Sequence, residues 1–183
     1  MSESLLVHHC SPTLAGVKTG NMFSCDCKCS KELNREIRRI NRKLVPKGLR
    51  VIPLKLHNGK ALIYVYRPSK LAGDLNNKMA CYLLKQCGYS LKSSNYSVVE
   101  LIRRLDACEQ FPHEIGLFLG YPPEDVNGFI NDKPHNCKYT GIWKVYGDVE
   151  SAKKTFARYK KCSEIYSRKW SDGCSLEQLA ICV

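Results

Sequence analysis

Leu33, Ile37, Ile40 and Leu44 recur three or four residues apart in SKELNREIRRINRKL. That spacing predicts one apolar stripe on a helix, capped by Ser30 and ended by Pro46 and Gly48. The period then changes. RVIPLKLH and KALIYVY read as strands around Asn58-Gly59, the strongest short-range signal for a two-residue hairpin turn. Pro53 inside the first strand implies an edge position or a bulge. Further on, Asn77 opens a helix KMACYLLKQC closed by Gly88, and Ser97 with Glu100 reads as a capping box for a helix over 98–108. FPHEIGLFLGYPPEDVNGFI, residues 111–130, predicts two short helices broken at Gly120-Tyr121-Pro122, and GIWKVYGD predicts a strand ending in a turn. A long basic helix over about 149–168 carries Ala152, Phe156, Tyr159, Ser163 and Tyr166 on its inner face, and Ser175 and Gln178 cap a last short helix.

The N-terminal stretch LLVHHCSPTLAGVKTG reads as a short strand LLVHH, with Ser11 as N-cap and Pro12 at the first position of a helix reaching about Met22. CDCKCS follows as an irregular link. The resulting expectation is an α/β (mixed α+β) protein, a single compact domain over 1–183 with a small sheet of about four strands packed by helices.

Composition changes this picture in two respects. Lys and Arg number 29 against 17 acidic residues, a net charge of +12. That excess favours anionic partners: an anionic small molecule or cofactor, nucleic acid, or an acidic protein surface. The 11 cysteines, without a secretory leader, read as reduced thiols in a cytoplasmic protein. The longest apolar run, ALIYVY, is too short to span a membrane, so no membrane partner is expected.

Candidate chemistry begins at Cys10. If Ser11 caps a helix, Cys10 sits at its positive end, where backbone N–H groups lower a thiol pKa and bind anions. Ser11, Thr13 and Lys18 then form an anion cradle. His113, oriented by Asp148, Glu114 or Asn136, would complete a thiol-enzyme arrangement with Cys10. His9, Cys10 and Cys25 offer imidazole and thiolate ligands to iron or haem. The C-x-C-x-C triplet at 25–29 departs from ordinary zinc spacing, and no glycine-rich nucleotide loop is present. The basic helices REIRRINRK and KKTFARYKK could follow phosphates, without any recognisable nucleic-acid module attached.

HCSPTLAGVKTGNMFSC, FPHEIGLFLGYPPEDVNGFI, WKVYGD and FARYKKC together resemble a bacterial family of anaerobic gut Firmicutes, a domain of unknown function numbered 3793. The resemblance runs over nearly the whole chain. By position it singles out His9, Cys10, Pro12, Thr13, Lys18 and Cys25, then Phe111, Pro112, His113 and Glu114, then Trp143, Tyr146, Gly147 and Asp148. It implies iron or redox physiology and fixes no activity. The leading expectation is therefore a cysteine-dependent binding or redox protein handling iron, an iron-containing cofactor or a flavin-like anion. In that reading Cys10, His113 and Asp148 are the reactive set, and Ser11, Thr13, Lys18, Glu114, Trp143 and Tyr146 hold the cofactor. His9, Cys10 and Cys25 are the metal ligands. A cysteine hydrolase or transferase and a basic nucleic-acid or acidic-protein binder stand as alternatives. Oligomeric state and the choice among iron, haem and flavin stay open.

Overall fold

The computed structural model describes residues 1–107, 111–132 and 136–182. The chain folds as two compact units, one formed by residues 1–69 and 161–183 and the other by 70–160.

The first unit opens with a helix, α1 (Glu3–Leu14), not with a strand. Ser2 accepts the Leu5 N–H as N-cap, Glu3 sits in the first turn, and Leu6, Val7, Cys10 and Leu14 are buried at helical spacing. This apolar stripe overrides the Ser11-Pro12 start signal. Pro12 falls near the helix end and removes only one backbone donor there. Strand β1 (Gly20–Asp26) follows, so residues 20–22 belong to a strand and CDCKCS is only partly a link. Helix α2 (Ser30–Leu44) buries Leu33, Ile37, Ile40 and Leu44 as expected, with Cys29 rather than Ser30 at the N-cap position. A 3₁₀ turn over Val45–Lys47 ends at Gly48, whose φ of 74° is the left-handed conformation that glycine adopts without strain.

Strands β2 (Arg50–His57) and β3 (Lys60–Tyr66) form the expected hairpin, with Asn58 and Gly59 both at positive φ. The sheet order is β1-β3-β2, all antiparallel, which puts β2 at an edge. Its register shifts between Pro53 and Lys55, the irregularity that the proline signalled. Ala61, Ile63 and Val65 from one face of β3 join the α1 and α2 stripes in the core, where Leu176 and Leu179 of the C-terminal segment also pack.

Arg67 is fully buried at the end of β3. Its guanidinium donates to the carbonyls of Thr13, Leu14, Lys47 and Ile181 at 2.8–3.0 Å. It thereby ties the end of α1, the 3₁₀ turn and the C-terminal segment to the sheet. The last helix carries the expected capping box between Ser175 and Gln178.

Among the described residues the second unit is helical, with one short hairpin. Short helix α3 (Pro68–Leu75) leads into it. Asn77 caps α4 (Lys78–Gln86), and Gly88 follows at a φ of 80°. Helix α5 (Ser94–Ala107) starts earlier than the Ser97 signal suggested, because Ser93 accepts the Tyr96 N–H. Ser97 is inside the helix and returns its hydroxyl to the Ser93 carbonyl. Cys108, at the end of the expected helix, lies outside the described residues. The 111–130 stretch forms α6 (Ile115–Phe118) and α7 (Pro123–Asn131), separated where Gly120 and the prolines interrupt the backbone. Two-residue strands β4 (Tyr139–Thr140) and β5 (Lys144–Val145) pair before α8 (Val149–Ser171), whose residues from Lys161 onward belong to the first unit. The fold is mixed α/β, with one three-stranded and one two-stranded sheet among the described residues.

Candidate functional site

Pro122 and Pro123 start α7 and bring Asp125 into its first turn, where the side chain is 3% exposed. A carboxylate buried that deeply needs hydrogen-bond donors. It has three: the Trp143 indole N–H at 2.7 Å on one oxygen, and the backbone N–H groups of Tyr146 and Gly147 at 2.7 and 2.8 Å on the other. One side chain therefore fixes the FPHEIGLFLGYPPEDV segment to WKVYGD. Asp125 has no local sequence signal, since its partners lie 18 to 22 residues further along. The acidic residue after a proline pair at a helix start was the only hint.

The Trp143 ring held in this way stacks on Tyr121 at 4.7 Å and meets Phe156 edge-on at 4.4 Å. Gly141, in the β4–β5 turn, is required by the same packing, because a side chain there would enter the Phe156 ring. Gly128 on α7 is covered by the Tyr146 ring and has no room for a Cβ either.

These contacts leave a cavity of about 390 Å³ between α6, α7 and the β4–β5 turn. Its walls are mostly apolar, from Ile115, Val126, Phe129, Tyr121 and Trp143, and its lining also includes Phe111, Ile142, His113, Thr140 and Lys144. Phe111 and Ile142 are about half exposed, at 52% and 47%, so the rim itself is apolar. His113 meets the Phe129 ring edge-on at 4.9 Å, and the Lys144 ammonium sits 5.9 Å from the same ring. Aromatic walls with a few converging polar groups are the usual make-up of a small-molecule site. A second cavity of about 220 Å³ is lined by Glu124, Asp148, Thr155 and Arg158. Asp125 and Trp143 line both.

Residues singled out from the sequence fall in both units. His113 and Trp143 meet at the larger cavity of the second unit, and Asp148 and Trp143 line the smaller one. Asp148 accepts the Ser151 N–H and caps α8. Tyr146 serves through its backbone, donating to Asp125. Glu114 is buried beside the cavity motif but engaged elsewhere, accepting from the Tyr89 hydroxyl at 3.1 Å and Arg104 Nε at 3.0 Å. Burial, reinforced by Glu114, raises the Tyr89 pKa.

The Cys10 group lies in the first unit, and its surroundings differ from those expected. Cys10 is a fully buried core side chain inside α1. Burial raises its thiol pKa far above the ordinary range, and the nearby Lys18 charge opposes this only in part. Lys18, itself buried, is pulled down to about 8 by the same desolvation. Ser11 returns its hydroxyl to the Val7 carbonyl, and Thr13 donates to Asn21 at 2.8 Å. Because α1 ends here rather than beginning, the backbone groups at this point are carbonyls, the negative end of the helix, and those of Ser11 and Pro12 are already taken by the N–H groups of Ala15, Val17 and Lys18. The Thr13 and Leu14 carbonyls are occupied by Arg67. His9 stacks on Phe23 at 5.0 Å, and burial together with His8 lowers its pKa. Cys25 is buried in β1, its thiol pKa raised chiefly by burial. Among the described residues, no three or more His, Cys, Asp or Glu side chains converge as a group that could hold a metal ion. Among them too, no helix is long and apolar enough to cross a membrane.

Residues 6–180 match the family model described as "Protein of unknown function (DUF3793)". The chain belongs to that family. The family resemblance noted in the sequence is thus correct over nearly its full length, and both halves of the Asp125 clasp lie inside the matched DUF3793 region. No curated protein and no solved structure matches the chain.

Proposed function

We propose that this DUF3793 protein binds a small planar aromatic molecule bearing an anionic group, of the flavin-like kind, in the cavity walled by Trp143 and Phe129. The observation that carries this reading is the make-up of that cavity, in which aromatic walls share one lining with His113 and Lys144. A flat ring gains dispersion and hydrophobic energy against Trp143, Tyr121 and Phe129. An anionic substituent is favoured beside Lys144, and His113 supplies a hydrogen-bond partner. The volume, about 390 Å³, suits one ring system and its substituent. The expected anionic ligand is thereby moved from the Cys10–Lys18 stretch to the second unit. Cys10 carries no part of this reading, because a thiol excluded from solvent with a raised pKa is a poor nucleophile.

Titration with riboflavin 5′-phosphate and with 1-anilinonaphthalene-8-sulfonate, followed by ligand fluorescence, tests the proposal. Ile142→Asp puts a negative charge on the half-exposed rim without disturbing the core. It should weaken binding by about tenfold or more, equivalent to about 1.4 kcal/mol, with an unchanged melting temperature. Absence of binding by the unaltered protein, or equal affinity in Ile142→Asp, would overturn it.

A further inference from the structure

We infer that the outer face of α2 binds single-stranded nucleic acid through its phosphates. The charge of the chain is unevenly divided. The first unit carries 16 Lys and Arg against 7 Asp and Glu, an excess of nine out of the total of +12. Much of it lies between residues 30 and 50, with eight basic residues against two acidic ones.

The arrangement within α2 is more specific than the count. Arg39 and Lys43 are paired with Glu3 and Glu36. Arg35, Arg38 and Arg42 are exposed and have no ion-pair partner among the described residues. At i, i+3 and i+7 they form one stripe, spanning about 10 Å of helix axis. A nucleic-acid strand in helical form carries about one phosphate per 3.4 Å, so such a stripe faces several of them. A membrane surface is a poorer fit, because the apolar stripe that would enter lipid is buried in the core.

A second feature favours a single strand. At the C-terminal end of the stripe, Arg38 and Arg42 border a shallow open groove of about 640 Å³ floored by Val45 and Pro46. Val45 is 47% exposed. The adjoining Asn41 is locked in place by two hydrogen bonds to the Val51 backbone. An unpaired base can lie on this apolar ledge while its flanking phosphates meet the arginines, whereas a paired base cannot reach it.

The test is fluorescence anisotropy with a labelled oligothymidylate of about 20 nucleotides, titrated across salt. Replacing Arg35, Arg38 and Arg42 with Gln should weaken binding by about tenfold or more and reduce the salt slope by about 2, since each single-strand phosphate contact contributes about 0.7. Replacing them with Lys should preserve most of the affinity. Replacing Lys78, Lys85 and Lys154 of the second unit with Gln removes the same charge elsewhere and should change affinity less than about twofold. An equal loss in this control would overturn the assignment. So would tighter binding of a duplex of the same length, or equal competition by polyglutamate.

Discussion

The indole N–H of Trp143 donates to a carboxylate oxygen of Asp125 at 2.7 Å, and the two residues together line the 390 Å³ cavity and the 220 Å³ cavity alike. The clasp sets the angle of the aromatic wall on which the proposed ligand would rest. Its other oxygen holds the backbone at Tyr146 and Gly147, so removing the carboxylate strands three donors at once.

Asp125→Ala should therefore lower stability by about 3 kcal/mol, the range for losing hydrogen bonds to a buried charged group. Asp125→Asn presents an amide N–H₂ to one of the donors and should displace the indole, seen as a shift in Trp143 emission. In a Trp143→Phe background that donor is absent, and Asp125→Asn should cost about 1–2 kcal/mol less. Additive effects in the double-mutant cycle would show that the indole bond contributes nothing.

Two glycines make opposite predictions. Gly141→Ala drives a methyl into the Phe156 ring, which itself supports Trp143, and should destabilise by about 1–3 kcal/mol. Gly73, inside α3, has nothing near the position of an added Cβ, so Gly73→Ala should stabilise by about 0.5–1 kcal/mol. Thermal melting of the two variants distinguishes them by sign.

Arg67 offers the test of the first unit. Arg67→Met leaves the carbonyls of Thr13, Leu14, Lys47 and Ile181 without its guanidinium and should cost about 3–5 kcal/mol. Arg67→Lys should recover only part of this, because one ammonium cannot reproduce a planar fork spread over four acceptors. Limited proteolysis should then cut the C-terminal segment near Ile181 first.

Burial of Lys18 makes stability depend on pH. Its folded pKa is about 8, below the ordinary lysine value of about 10.4. Between those limits the unfolded chain holds a proton that the folded chain has released, so the Lys18 contribution to stability increases with pH, by up to about 1.4 kcal/mol per unit. Cys10 works in the other direction above its ordinary pKa, because the folded thiol stays protonated while the unfolded one ionises. The rise should therefore appear from about pH 8 to 9 and be offset at higher pH. Urea melts of Lys18→Met should lack the rise.

Features encoded within a few residues were readable from sequence: the Asn58-Gly59 hairpin, the α2 stripe, the α7 start at the proline pair and the Ser175 capping box. Two others were not. Ser11-Pro12 has the local form of a helix start, yet the Leu6, Val7, Cys10 and Leu14 stripe packs against α2 and the sheet, and that tertiary burial decides the matter. With Cys10 inside α1 and close to its C-terminal end, not ahead of a helix start, the expected cluster of N–H groups becomes a cluster of carbonyls. The Asp125 clasp was hidden for a different reason: each of its donors is distant in sequence, and an acidic residue at a helix start ordinarily faces solvent.

The cavity beside Trp143 is the ligand site we propose. The most direct measurement is native mass spectrometry of protein purified without oxygen, paired with its absorption spectrum and repeated on Ile142→Asp. A retained aromatic chromophore of small mass, lost in Ile142→Asp while the fold persists, is the result expected. If the protein retains nothing and binds neither riboflavin 5′-phosphate nor the anilinonaphthalene sulfonate when supplied, the claim is contradicted.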